Sequence, residues 1–481
     1  MRARTPRFWL TVAAAALGLI IVVAAGSAAL IYADVPLGRR AVTATPLPQP
    51  TATSTPAATP LPAGNDWLQF RYDVYGTGVN PEGLIRSDTL AQLTPRWTAS
   101  APTSAPFGAT PAIVDGVIYI PNGKALFAHD LRTGVQLWRF DGLGDANYMT
   151  TSSVAVDPDA QLAYYGTPDA RVYAVNIVTG RMAWQRQLGD PSRGAYVWSS
   201  PLLANGKVYV GLASKNDHPC VRGAVIALNA RTGAVAWTHY TDRDGEAGAG
   251  VWSSLTAIPE LQTLVATTGN PCGTPDTDAE EDAIVGIDWN TGATLWMYTA
   301  AVDPACDCDF GEGSNNFVLN GKQYVVAGNK YGMVYALEVQ GKKAHLAWSH
   351  RIATIDSFSR KLFGGIFQPP SYANGVVFVA GGTSLDQKCA GTLWAFKADT
   401  GTPLWHVCTK DRMFSPGTVS GDVLFTITGG AINEFDVATG TVLWTAPIDG
   451  GAWGGIAVAH GFLVVGTTHS KLYCYNLTPS S

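Results

Sequence analysis

From residue 97 to its C-terminus the chain returns eight times to one short pattern, and the period of that pattern dictates the architecture. Full copies read AHDLRTGVQLW (Ala128 to Trp138), AVNIVTGRMAW (Ala174 to Trp184), ALNARTGAVAW (Ala227 to Trp237), GIDWNTGATLW (Gly286 to Trp296), AFKADTGTPLW (Ala395 to Trp405) and EFDVATGTVLW (Glu434 to Trp444), with a degraded copy from Ala336 to Trp348. Self-similarity at a period of about 40–60 residues points to propeller blades. Each copy reads as a β-hairpin: a small residue faces inward, Asp or Asn opens the turn, and Gly supplies a positive φ. The closing Trp offers a large apolar surface for packing between blades. The eighth copy is split. The chain ends in KLYCYNLTPSS, which has the motif's first strand and no Trp, and the missing half is LAQLTPRW, ending at Trp97. Pairing the last hairpin with an N-terminal strand removes the exposed edges of an open ring. The expected fold is all-β, an eight-bladed β-propeller of four-stranded antiparallel blades over residues 66–481.

With 47% hydrophobic and 14% charged residues in 481, the chain has ample material for one large core. A net charge of −5 gives no reason to expect nucleic acid or an anionic membrane surface as partner. Phe8 to Ala33 carries no charge and follows Arg2, Arg4 and Arg7, so residues 1–40 read as a signal anchor with one transmembrane helix and an exported C-terminal part. Arg39 and Arg40 weaken that charge asymmetry, and AGSA before Ala29 offers a cleavage site as the alternative. Residues 41–65 are almost all Thr, Pro and Ala, a composition that buries no core and acts as an extended spacer. The propeller is therefore expected on the extracytoplasmic side, periplasmic or at the cell surface.

An exported chain with seven cysteines invites disulfides. Cys389 and Cys408 flank one motif hairpin at similar distances from its turn, so antiparallel pairing brings them together. Cys220 and Cys272 lie in corresponding loops of adjacent blades and form a second pair. Cys306 and Cys308 flank Asp307 and either bridge each other or exchange partners with that pair. Cys474 occupies the small inward position of the last motif and reads as a buried free thiol.

A blade with strand A innermost and D outermost puts all D–A and B–C connections on one face. Trp-to-Trp spacing is 41, 46 and 39 residues in three blades and 52 to 59 in the four between. The surplus sits in GLASKNDHPCVRG, TTGNPCGTPDTDAEED, TAAVDPACDCDFGEGSNN and GGTSLDQKCAG, all on D–A or B–C connections. One face of one half of the ring is elaborated, and loops on a rigid scaffold are where binding chemistry usually sits. The eight histidines have no metal-ligand spacing, and no CxxCH, P-loop or strand-linked GxGxxG occurs.

At these loops the chain resembles the quinoprotein alcohol dehydrogenases, eight-bladed propellers that bind pyrroloquinoline quinone (PQQ) with calcium. The blade pattern matches over about residues 66–477, and TTGNP, DFGEGSNN and AGNKYGMVYALE follow the family's order. VWSSLT, HPCVRGAV and CDCDFG look like the polyvinyl-alcohol-dehydrogenase branch. The resemblance implies that Trp252 stacks under the quinone, that Asn270 ligates calcium, that Asp309 is the catalytic base and a metal neighbour, with Asp307 a lesser candidate, and that Lys330 contacts the quinone oxygens. The family's calcium-binding glutamate falls in SKNDHPCVRG, which has no Glu; Asn216 or Asp217 is the substitute. The implied activity is oxidation of a small or polymeric alcohol, with electrons leaving to a separate acceptor. The alternative is a cofactor-free, membrane-tethered propeller serving as an interaction scaffold or ligand sensor.

Overall fold

The computed structural model describes residues 65–101, 105–143, 149–216, 219–243, 247–272, 280–300, 307–357 and 363–478. They form eight sheets, each with a four-stranded antiparallel meander. Blade 1 runs A (Ala112–Val114), B (Val117–Asn122), C (Ala125–Asp130) and D (Gln136–Asp141), and the later blades repeat that order. The A strands touch one another from blade to blade and so line the central channel. Blade 8 takes A, B and C from Ala457–Ala459, Phe462–Gly466 and Lys471–Leu477, and D from Leu93–Ser100. Trp97 lies opposite Cys474, which is buried and unbridged, so the two chain ends close the ring as expected. The expected anchor and spacer lie outside the described residues; among those described, no helix is long and apolar enough to cross a membrane.

The motif works between blades as well as within them. Asp130 Oδ1 accepts from the Thr133 amide at 2.8 Å and the Arg132 amide at 3.1 Å, which shapes the C–D turn, and Gly134 follows at φ 74°. The Trp97 ring of the preceding blade lies on that glycine, where a Cβ would come 2.5 Å from Trp97 Cδ2. Trp138 lies the same way on Gly180, Trp184 on Gly233, Trp237 on Gly292, Trp348 on Gly401 and Trp405 on Gly440. Each glycine thus meets two demands, a left-handed φ and a neighbour's indole. The indole N–H then donates across the seam, Trp97 to Leu131 O and Trp138 to Ile177 O, both at 2.9 Å. The degraded copy in blade 5 breaks the series. Trp296 instead covers Gly286 of its own blade, where the other full copies carry Ala or Glu, and its indole nitrogen is buried without a hydrogen bond.

Two further devices hold the ring. Just before the A strands, the Gly455 amide donates to Thr110 Oγ1, the Thr110 amide to Ser153 Oγ, the Ser153 amide to Ser200 Oγ and the Ser200 amide to Ser254 Oγ, at 2.6 to 3.0 Å. This stitches blades 8, 1, 2, 3 and 4 in sequence. On the opposite face, residues 67–80 cross beneath the channel. Their backbone bonds Ile113 (Trp67), Val156 (Leu68), Ala257 (Val74), Asn316 (Tyr75), Tyr372 (Thr77) and Val419 (Gly78). Side chains complete the circuit, Gln69 accepting from the Leu203 amide and Asn80 donating to Val458 O. One segment therefore touches all eight blades and stoppers the channel. Arg71 rises from it, 3% exposed, and donates to Gly417 O, Pro370 O and Ser371 Oγ. Burial lowers its guanidinium to about 9, Asp73 opposing that shift.

Cys389–Cys408 and Cys220–Cys272 are both bridged. The second bridge ties the long B–C loop of blade 3 to that of blade 4, above the elaborated face. Cys308 is also disulfide-bonded, while Cys306 lies outside the described residues.

Candidate active site

Blade 5 places the first two residues. Its strands A (Phe310–Leu319) and B (Lys322–Asn329) pair with Phe310 opposite Asn329. Asp309 precedes the one and Lys330 follows the other, so the antiparallel register sets them side by side, joined by Lys330 N–H to Asp309 O at 2.9 Å. Their side chains meet as well. Lys330 Nζ lies 2.6 Å from Asp309 Oδ1 and 2.7 Å from Asp307 Oδ1. Trp252, on the D–A connection entering blade 4, donates its indole N–H to Asp309 Oδ2 at 2.9 Å. Lys330 Nζ stands 5.2 Å from the centroid of the Trp252 ring. Asp309 is 2% exposed and Trp252 half-buried, while Asp307 reaches solvent.

Burial pushes the Asp309 carboxyl up. Lys330 and the Trp252 indole pull it back, Asp307 adds to the rise, and the balance lies at about 6. Burial by itself lowers the Lys330 ammonium, but the two carboxylates outweigh it, so this lysine stays charged. The arrangement is a nearly dry carboxylate raised above the ordinary range, held between a fixed cation and an aromatic N–H. Such a group is suited to taking a proton from an alcohol.

Asn270 sits on the B–C connection of blade 4, next to Gly269, whose Cβ position would lie 3.2 Å from Asp309 Oδ2. Its backbone carbonyl accepts from the Ala249 amide at 3.0 Å, and its side chain is exposed with only a long contact to Pro271 O. Trp252, Asn270, Asp307, Asp309 and Lys330 thus come together on one face. Asp217 lies outside the described residues.

Two carboxyls at this site have no motif to announce them. Asp282 closes the blade 4 B–C loop in a left-handed conformation (φ 46°), its amide bonded to Gly269 O and one carboxyl oxygen buried without a partner. Burial, then the charges of Asp309 and Glu281, raise it to about 7. Asp356, on the D–A connection entering blade 6, donates its amide to Lys330 O at 3.0 Å. The one available signal was position, since Asp282 ends an elaborated loop and Asp356 lies on a D–A connection of the same face.

A family model described as "Glucose/ethanol/alcohol dehydrogenase, beta-propeller domain" matches residues 67–343, a span that contains Trp252, Asn270, Asp309 and Lys330. The chain belongs to this PQQ β-propeller family. A second model, "Outer membrane protein assembly factor BamB", matches residues 357–449. Among curated relatives, a polyvinylalcohol dehydrogenase of Sphingopyxis sp. is 23% identical over 466 residues, covering 84% of this chain and 70% of its own length. A quinohemoprotein alcohol dehydrogenase ADH IIB of Pseudomonas putida is 28% identical over 289 residues, covering 52% of this chain and 41% of its own. The structure of a europium-containing methanol dehydrogenase superposes with a TM-score of 0.74 at 17% identity, over 86% of this chain and 98% of that one, which shows the shared fold.

For a PQQ-family propeller the donor set can be tested directly. A planar, anionic quinone suits an aromatic platform with an ammonium 5.2 Å from its ring centroid. Calcium is another matter, since it takes about six to eight oxygen ligands. Among the described residues no group of three or more His, Cys, Asp or Glu side chains could hold a metal, and Asp309 is already engaged by Lys330. The described residues fit the quinone and fall short of a calcium site.

Proposed function

We propose that the protein is an extracytoplasmic quinoprotein dehydrogenase that oxidises an alcohol with PQQ. The observation that carries this reading is the Asp309 carboxylate held between Lys330 and Trp252 in a propeller of the PQQ family. When bound, PQQ supplies the acceptor for the hydride that leaves the alcohol carbon. Trp252 offers the ring against which a flat cofactor lies. Lys330 presents a permanent positive charge where negative charge develops on an oxygen. Asp309 Oδ1 or Oδ2 takes the hydroxyl proton, and the neighbouring ammonium steadies the carboxylate until then. Asp307, exposed and paired with the same ammonium, is the lesser candidate for that role. The stoppered channel leaves the elaborated face as the entrance.

In its fuller form the reading includes a separate electron acceptor and a membrane anchor in residues 1–40. The two bridges Cys220–Cys272 and Cys389–Cys408 support an oxidising compartment. Relatives named for alcohol and polyvinyl alcohol support both small and polymeric substrates. A second reading, a cofactor-free scaffold, draws on the BamB match over residues 357–449. Titrating purified protein with PQQ, with and without calcium, and recording the quinone absorbance separates the two. A saturable spectral change lost in Trp252→Ala supports the dehydrogenase; no change under either condition supports the scaffold.

A further inference from the structure

The Trp252 position recurs around the ring. It is the fourth residue before strand A of blade 4 (Thr256–Ile258), and the same offset from Leu202–Ala204, Ser371–Ala373, Thr418–Ser420 and Ala457–Ala459 gives Trp198 in blade 3, Phe367 in blade 6, Phe414 in blade 7 and Trp453 in blade 8. In blades 1 and 2 it gives Gly108 and Thr151, so aromatic rings are a choice here and no requirement of the fold. The three rings of blades 6 to 8 form a continuous row. The Phe367 and Phe414 centroids are 6.0 Å apart, and Phe414 and Trp453 stack at 4.7 Å. The row starts at the candidate active site: a Cβ on Gly311, two residues beyond Asp309, would meet Phe367 Cα at 2.9 Å, and one on Gly365 would meet Lys330 Cα at 2.7 Å. It ends at Trp453, which is 40% exposed.

Beside the row lies a cleft of about 550 Å³, lined by Phe414 together with Lys410, Asp411 and Arg412. The Arg412 guanidinium covers the Phe363 ring, 3.2 Å from its centroid. Asp356 links this cleft to the site. Burial raises its carboxyl, Asp307 adds to that, and Lys330 and Arg412 both oppose it, so it stands within electrostatic reach of both regions. Among the described residues, the two cations Lys410 and Arg412 are matched by the two carboxylates Asp411 and Asp356.

The geometry points to an extended substrate subsite: Phe367, Phe414 and Trp453 form a track along which the tail of a neutral aliphatic chain alcohol lies while one of its hydroxyls reaches Asp309. Stacked rings bury the methylene backbone, and the charged side chains at the cleft take its other hydroxyls by hydrogen bonds. A short alcohol would occupy only the Asp309 end. This inference rests on the dehydrogenase reading for its chemistry and on the aromatic row for its binding.

The test pairs binding with turnover. Isothermal titration of the cofactor-free protein with polyvinyl alcohol of low chain length reads the track alone, in wild type, Trp453→Ala, Phe414→Ala and the conservative Trp453→Phe. Dye-linked oxidation with added PQQ then compares kcat/KM for 1-hexanol against ethanol. The track predicts that the oligomer binds wild type, that either alanine variant weakens binding roughly tenfold and shrinks the hexanol-to-ethanol ratio by a similar factor, and that Trp453→Phe restores most of both. Oligomer binding that is lost in Trp453→Ala, in a protein that oxidises no alcohol, keeps the track and sinks the dehydrogenase. Alcohol oxidation with an unchanged ratio and no Trp453-dependent binding keeps the dehydrogenase and overturns the track. Absence of oligomer binding to wild type also overturns it.

Discussion

Lys330 Nζ stands 2.6 Å from Asp309 Oδ1 and 2.7 Å from Asp307 Oδ1, because strand pairing in blade 5 aligns the residue before strand A with the residue after strand B. One ammonium therefore serves two carboxylates, of which only Asp309 is dry. Lys330→Met should leave Asp309 without its cation and lower turnover by about 10²–10³-fold, the worth of one placed donor. Steady-state kinetics on quinone-loaded protein checks this; an unchanged kcat would mean that Lys330 only braces the hairpin.

The stopper is the second target. Arg71, buried, donates to two backbone carbonyls and a serine hydroxyl from blades 6 and 7. Arg71→Met keeps the bulk, removes those bonds and should cost about 3 kcal/mol. A chain beginning near Asp66 should fold, one beginning after Asn80 should be less stable, and one beginning after Trp97 should lose blade 8's outer strand and aggregate. Thermal unfolding of the three would settle the order, and equal midpoints would refute both roles.

Glu434 gives the pH dependence. It holds the inward position of the blade 7 motif, where five other full or degraded copies have Ala, and it is 0% exposed with neither carboxyl oxygen hydrogen-bonded. Burial, reinforced by Asp422 and Asp436, raises it to about 8. A raised carboxyl binds its proton more tightly in the folded state, so its contribution is fully present below the unfolded value of about 4.5 and is lost as pH climbs through about 8. Glu434→Ala should raise stability at pH above that point by about 1–3 kcal/mol. The difference should shrink in acid. Denaturant melts at several pH values read it directly, and a difference that grows toward low pH would contradict the sign.

The bridge Cys389–Cys408 spans a separation of 19 residues. Replacing both cysteines by serine should lower stability by about 3 kcal/mol if the constraint acts on the unfolded chain. Peptide mapping of exported protein should find the pair joined; two free thiols would remove the basis for the loss.

How much of this was legible in the residues follows from how each part is built. The blades were, because every motif Gly must satisfy both its own φ and a neighbour's indole, so sequence and packing repeat together. Ring closure by Trp97 followed from the same pattern. Residues 67–80 carry no repeat: they bond every blade at least once, mostly through backbone groups that any side chain would supply, so nothing in the letters marks them. Trp252, Asn270, Asp309 and Lys330 could be picked by resemblance, and topology alone put them on one face. Asp282 and Asp356 could not, because their nearness arises only when loops of different blades converge. The aromatic row was invisible until the A strands gave a common origin from which to count.

In the proposed reaction Asp309 is the base of a quinone-dependent alcohol oxidation. The most direct measurement is alcohol-dependent dye reduction by quinone-loaded wild type and Asp309→Asn, with quinone absorbance recorded on the same samples. The predicted result is equal quinone binding and a fall in turnover of about 10²–10⁴-fold in the variant. Equal turnover in the two proteins, or no alcohol-dependent reduction by wild type with quinone bound, would contradict it.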